Sequence, residues 1–345
     1  MTLWRRIDPM VRLIGVAIVL ATLLPVRGSA RDVAQFISNA AVFLLFLLYG
    51  LRLSRAEVRA GLSNHRLLVP LVLWVFGVMA LGGWLVWQGE GRVINPLLAL
   101  GFLYMGTLPS TVQSATAYSS LAGGNVASSV VAAALLNIMG VFISAPLFSA
   151  LAGSHVTPFH AAALVKVCVM LLAPFIAGQM LQHWARDWML AHRQLVSTMD
   201  RSSIGIAVYV AFSGAVVEGI WHRVTLPEWG WLLAGVGAIL MLGYGGAWML
   251  GGLLRLPRDD RISLLFAGAH KSIAMGAPLA TVLFAPTAAG IVLLPLLVYH
   301  LCQMVIAAPI AEWLRRSFPP EPLRAHPAAA GGSTTQAPPR SAPPR

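Results

Sequence analysis

Leu108-Pro109-Ser110-Thr111-Val112-Gln113-Ser114-Ala115-Thr116 is the stretch on which the reading of this chain turns. It lies inside a segment otherwise apolar enough to cross a bilayer. It places a proline and five hydroxyl or amide side chains where lipid tails offer no hydrogen bonds. A break of that kind is tolerated only where it faces protein or a water-filled cavity. A polar break in one apolar segment, matched by another in the second half of a chain, marks the binding site of many carriers.

The surroundings of the stretch are those of a polytopic membrane protein. Hydrophobic residues make up 58% of the 345 and charged residues only 10%, too little charge to clothe a soluble chain of this length. The net charge of +12 comes from arginines spread through short loops, a topology signal rather than a nucleic-acid surface. Cys168 and Cys302 both fall in apolar segments and read as small buried hydrophobes. The start, with Arg5 and Arg6 before an apolar run to Pro25, reads as a retained first helix rather than a cleaved signal.

Ten segments approach the ~20 residues that a bilayer core requires. They are 11–26, 33–51, 67–88, 94–120, 125–151, 158–182, 202–221, 227–254, 261–285 and 288–314. With a cytoplasmic N-terminus, eighteen arginines fall on the cytoplasmic side. Four, Arg27, Arg31, Arg92 and Arg223, fall on the other. That bias places both termini inside, and the expected location is a cell inner membrane. Residues 317–345 are rich in Pro, Ala, Gly and Ser and are expected to form a disordered cytoplasmic tail.

Segments 4–5 resemble segments 9–10 at an offset of 163 residues. Asn137 falls on His300, Ala145-Pro146 on Ala308-Pro309, and Thr107-Leu108-Pro109-Ser110 on His270-Lys271-Ser272-Ile273. With five spans per half, the second copy enters the membrane from the opposite side. The expected fold is therefore an all-α membrane protein of ten transmembrane helices. Its two inverted five-helix repeats, about 11–152 and 158–314, form one domain over 1–316, with helices 4 and 9 broken and crossing.

The candidate residues follow from that crossing. Ser110, Thr111, Gln113, Ser114 and Asn137 offer hydroxyl and amide oxygens, hard donors suited to a small cation and equally able to hydrogen-bond a polar solute. Ser and Thr also join helices in membranes routinely, so helix packing is the plain alternative. Lys271 is the sharper signal. The chain has two lysines, Lys166 and Lys271, both inside spans, and all twelve carboxylates lie in loops, near span ends or in the tail. An ammonium at membrane depth must be paired, hydrated or deprotonated. Lys271 could attract an anion, donate to carbonyls at broken helix ends, titrate, or stand as a structural cation. Lys166 could snorkel to the interface. His270 and Ser272 flank Lys271, and His300 lies deep in segment 10 with Gln303 one turn away on the same face. These residues, His270, Lys271, Ser272, His300 and Gln303, form the expected substrate side.

The motifs Leu108-Pro109-Ser110-Thr111-Val112-Gln113-Ser114, Gly124-Asn125-Val126-Ala127 and Asn137 before Gly140-Val141-Phe142 resemble those of the bile acid:sodium symporter superfamily. So do Lys271-Ser272 with Gly276 and Pro278, Leu294-Pro295-Leu296 and His300. The likeness covers about Arg5 to Arg316 and is nearest its bacterial SBF-like branch, similar also to solute carrier family 10 member 7. It implies a panel and a core domain, a crossing of spans 4 and 9, sodium beside it and an organic anion in the adjacent cavity. By motif position, a candidate sodium site falls at Ser110, Ser114 and Asn137. The sequence departs from the family at the second crossing. The bile-acid branch carries a glutamate and a Gln-Asn pair there, whereas this chain reads Ala267-Gly268-Ala269-His270-Lys271-Ser272. An ammonium beside a cation site repels sodium by several kcal/mol at low effective dielectric.

The expected activity is secondary active transport of a small organic anion or amphipathic solute, with sodium a candidate coupling ion. A proton-coupled or uncoupled carrier, and a ligand-binding membrane protein that does not transport, are the alternatives. An intramembrane Ser/Lys hydrolase ranks below them, and no catalytic residue or further cofactor is expected. The expected partners are the bilayer and the solute, with no nucleic acid.

Overall fold

A computed structural model describes residues 9–52, 64–153, 161–217, 219 and 224–317. Among the described residues the regular structure is entirely helical. The first half contains α1 (Pro9–Leu23), α2 (Ala30–Arg52), α3 (His65–Leu73), α4 (Met79–Glu90), α5 (Pro96–Gly106), α6 (Gln113–Leu121) and α7 (Val126–Ala152). The second contains α8 (Ala161–Ala191), α9 (Arg193–Val217), α10 (Leu226–Met241), α11 (Ala247–Leu253), α12 (Arg258–Ala269), α13 (Ile273–Leu283) and α14 (Pro286–Ser317). A π-helical turn, Trp74–Val78, joins α3 to α4, and another, Leu242–Gly246, joins α10 to α11.

Among the described residues, five continuous helical stretches are long and apolar enough to cross a membrane: Ala30–Leu51, His65–Glu90, Val126–Ala152, Leu226–Leu253 and Thr287–Ser317. Three of the other expected spans are interrupted or short. Segments 4 and 9 are each cut in two, so α5 has only 11 residues and α12 only 12. The apolar part of α1, Arg12–Leu23, is short. Helices α8 and α9 have the length to cross, 31 and 25 residues, and residues 167–185 of α8 carry no charged side chain.

Segments 6 and 7 are also corrected in their bounds. The helix expected to end at residue 182 runs to Ala191, and the one expected to begin at 202 begins at Arg193, with His192 the single residue between them. Met189 and Val196 bury there beside Leu48 and Leu51, so packing continues both helices beyond their apolar runs. The expectations for the 53–63 loop and for the tail beyond Ser317 fall outside the described residues. So do the side chains of Gln113, Lys166 and Cys168.

Two packing groups share α9, which also lies against α13 and α14. Helix α2 lies against α8 and α9, and α1 against α9. Their closest approach is made by small residues: a Cβ added to Gly50 would collide with the Phe175 backbone. Such contacts are how helices associate where lipid removes the hydrophobic drive. The second group packs α4 on α5, α5 on α14, α6 on α12, and α7 on both α6 and α12. Its interior holds Tyr104, Phe148 and Phe284 in mutual edge-to-face contact at 5.3–5.7 Å, the geometry aromatic quadrupoles favour. Large apolar side chains such as Phe36, Met180, Met241, Leu253 and Val305 stand exposed on the outer faces, as a lipid-facing surface requires.

Candidate functional site

Helix α5 begins where Asn95 caps it, its side-chain oxygen accepting from Leu97 N–H at 2.9 Å, with Pro96 at the first position. The Glu228 carboxylate binds Asn95 N–H at 2.7 Å and Thr225 N–H at 2.7 Å, tying the starts of α5 and α10 together. Helix α5 stops at Gly106, and the chain runs irregularly through Thr107–Val112 before α6. Pro109 cannot donate to a helical ladder, which explains why the helix does not resume at once. The Pro109 ring packs on Gly140 of α7, where a Cβ would come within 2.6 Å of its Cγ.

The second break is shorter. Helix α12 ends at Ala269, residues 270–272 are extended, and Ser272 caps α13 by accepting from Met275 N–H at 3.2 Å. The two breaks touch. Ser272 N–H donates to the Pro109 carbonyl at 2.9 Å. The Lys271 ammonium donates to the carbonyls of Gly106 and Leu108, each at 2.8 Å, and of Val75 at 3.3 Å. Lys271 is fully buried. Its three N–H donors meet three backbone oxygens. Two of these lie at the C-terminal end of α5, the negative end of its dipole. The third belongs to the π turn, where the regular α ladder is interrupted.

Each break is braced by a carboxamide from the long helix that follows it. Asn137 of α7 donates to the Ser110 carbonyl at 2.8 Å and to the Ala133 carbonyl of its own helix at 2.8 Å. Gln303 of α14 accepts from Lys271 N–H at 2.9 Å and donates back to the Lys271 carbonyl at 3.3 Å. His300, the residue aligned with Asn137 in the sequence, contacts the Gln303 amide through Nδ1 at 2.8 Å. Gln303, one turn further on, does for the second break what Asn137 does for the first.

His270 joins the remaining polar groups. Its Nδ1 lies 2.8 Å from Ser114 Oγ and 3.4 Å from Thr111 Oγ1, and its Nε2 lies 3.0 Å from the Tyr244 hydroxyl. Tyr244 donates its one proton to the Gln303 carbonyl at 3.0 Å. Donor counting then orders the chain. His270 Nε2–H must donate to Tyr244, so Nδ1 is the acceptor and takes the Ser114 hydroxyl proton. Ser114 in turn accepts from Thr111 at 2.5 Å. The result is a neutral histidine, fully buried, with both ring nitrogens engaged.

Of the expected residues, the structure brings Thr111, Ser114 and His270 into one chain, Ser110 and Asn137 into a pair, and Lys271, Ser272, Gln303 and His300 into the crossing. Ser114 faces His270, while Asn137 holds Ser110 by its carbonyl. Besides the Val75 carbonyl, three side chains contribute that are not marked by the sequence. Tyr244 sits in Gly243-Tyr244-Gly245-Gly246, which reads as a packing surface, although a buried phenol needs a partner. Tyr299 donates to the Ala269 carbonyl at 2.6 Å and Tyr104 to the Gly276 carbonyl at 2.5 Å, each steadying a helix next to the second break.

Two interrupted helices meeting backbone to backbone inside an apolar helical bundle define a membrane protein with a polar centre. The comparisons with known proteins place it further. The model of the SBF-like CPA transporter family matches residues 8–316, and the chain belongs to that family. It is 36% identical over 296 residues, 86% of this chain and 89% of the relative, to an uncharacterized protein of Pseudomonas aeruginosa. It is 34% identical over 319 residues, 92% and 95% of the two chains, to "Putative symporter YfeH" of Escherichia coli. It is 22% identical over 299 residues, 84% and 86%, to "Sodium/bile acid cotransporter 7" of mouse. The family resembled by the sequence motifs is thus the family found, and the protein is a multi-pass membrane transporter.

Proposed function

We propose that the protein is a secondary active carrier that moves a small organic anion, or a related amphipathic solute, by alternating access through the crossing of α5/α6 and α12/α13. The observation that carries this reading is the Lys271 ammonium at the meeting point of both breaks, bonded to carbonyls rather than to a carboxylate. Neutral oxygens leave its charge uncancelled, so the region attracts anions in a low-dielectric surrounding. The polar chain Thr111–Ser114–His270–Tyr244 adjoins the same crossing, and Ser114 in it is partly exposed. The names of relatives described as a symporter and a sodium/bile acid cotransporter support coupled transport.

The same reading takes the chain as ten spans in two inverted repeats, in an inner membrane with both termini cytoplasmic. The order of elements supports it. Each half has two helices, a third interrupted by a π turn, a fourth cut in two and a long fifth. Sodium is the candidate coupling ion on the Ser110 and Asn137 side. Under this reading no residue acts as a catalyst.

Uptake in proteoliposomes across a panel of organic anions, with a sodium gradient, a pH gradient or neither, is the test. Accumulation of one anion class above empty vesicles is the expected result. No accumulation of any solute, with saturable binding retained, would favour a ligand-binding protein that does not transport.

A further inference from the structure

The bonds around Lys271 have the form of a cation site. Three neutral carbonyl oxygens converge on one point, from Val75 in the π turn and from Gly106 and Leu108 at the end of α5. Carbonyl clusters with no carboxylate are the usual oxygen cage for a monovalent ion taken out of water. The dipole of α5 adds a partial negative charge at the same place. Each of the three carbonyls sits where a helix is interrupted, so the cage is a product of the breaks and not of ordinary packing. The ammonium that fills it comes from the other break, on a side chain with no exposure to solvent.

We propose that the Val75, Gly106 and Leu108 carbonyls form a monovalent cation site whose cation the chain itself provides as the Lys271 ammonium. Removing the side chain then converts the cage into a site for a free ion. The bound charge is tethered and cannot be carried across the membrane, so sodium is not cargo at this position. That consequence for coupling rests on the carrier reading; the cage itself does not.

The experiment compares the thermal stability of purified wild type and Lys271→Ala in choline, sodium and propylammonium chlorides at equal ionic strength. Propylammonium supplies the atoms that the substitution removes. The expected result is a lower Tm for Lys271→Ala in choline, raised saturably by sodium and by propylammonium more than the wild type is raised. The gain should be roughly 2–4 °C for each tenfold rise above the binding constant. A folded Lys271→Ala that gains no more than the wild type from either cation overturns the proposal. Lys271→Met, which keeps most of the stem and loses the charge, serves as the second variant. A larger sodium gain than wild type supports the cage, and an equal gain counts against it. Recovery of either variant only when sodium or propylammonium is present during extraction also supports it, and recovery in neither counts against it. Transport is not measured, so a failure of uptake leaves this result standing, and a failure here leaves the carrier reading standing.

Discussion

The two breaks occupy matching places in the two halves, yet their chemistry is opposite. The first, Thr107–Val112, is long and contains Pro109. It gives up acceptors: the carbonyls of Leu108 and Pro109, with that of Gly106 just before it, all receive bonds from the other break. The second, His270–Ser272, has no proline and delivers donors, the Lys271 ammonium and the Ser272 N–H. Two identical breaks would meet with like groups facing and would need ions or water between them. Divergence into an acceptor half and a donor half lets the crossing close on itself.

Removing the donor is the most damaging way to break that complementarity. Lys271→Ala strands three buried carbonyls at ~1–3 kcal/mol each, partly relaxed by the cavity, so a loss of about 3–5 kcal/mol is expected in sodium-free buffer. Thermal unfolding in detergent reads it directly. The two carboxamide braces come next. Gln303→Leu removes both bonds to the Lys271 main chain and should lower stability by about 2–3 kcal/mol, while Asn137→Leu, which holds one carbonyl of the first break, should cost about 1–2 kcal/mol. Equal losses in parallel melts would mean the breaks are braced alike. Gly140→Ala pushes a methyl into the Pro109 ring and should destabilise by about 1–2 kcal/mol, with the first break affected and the second untouched in hydrogen exchange. Tyr244→Phe removes the bond to the Gln303 carbonyl and the acceptor of His270 Nε2–H, and should cost about 1–2 kcal/mol by thermal melting.

The sequence shows where polar groups interrupt apolar runs, and that is why both breaks, Lys271, Asn137 and Gln303 are legible in it. It does not show which groups meet. The offset of 163 residues pairs Asn137 with His300, but the structural counterpart is Gln303, because a helical face admits residues one turn apart equally well. Val75 cannot be found from its side chain, since what it contributes is a backbone carbonyl in a π turn, and π turns leave no mark in hydrophobic periodicity. Tyr244 is hidden by its glycine neighbours. Helices α8 and α9 run past their expected ends because a few apolar residues, Met189 and Val196 among them, extend packing beyond the span. The family, by contrast, is legible in short motifs around both breaks, and its model spans the same region.

The central claim is that the crossing is reached alternately from the two sides of the membrane. Ser114→Cys, in a chain with Cys168 and Cys302 replaced by alanine, tests it without any knowledge of the solute. Ser114 is partly exposed and touches His270 at the junction of the two breaks. The variant is treated with a membrane-impermeant maleimide in right-side-out and in inside-out vesicles. Alternating access predicts labelling from both sides, each reduced by a transported anion. Labelling from one side only, or from neither in a folded protein, would contradict it.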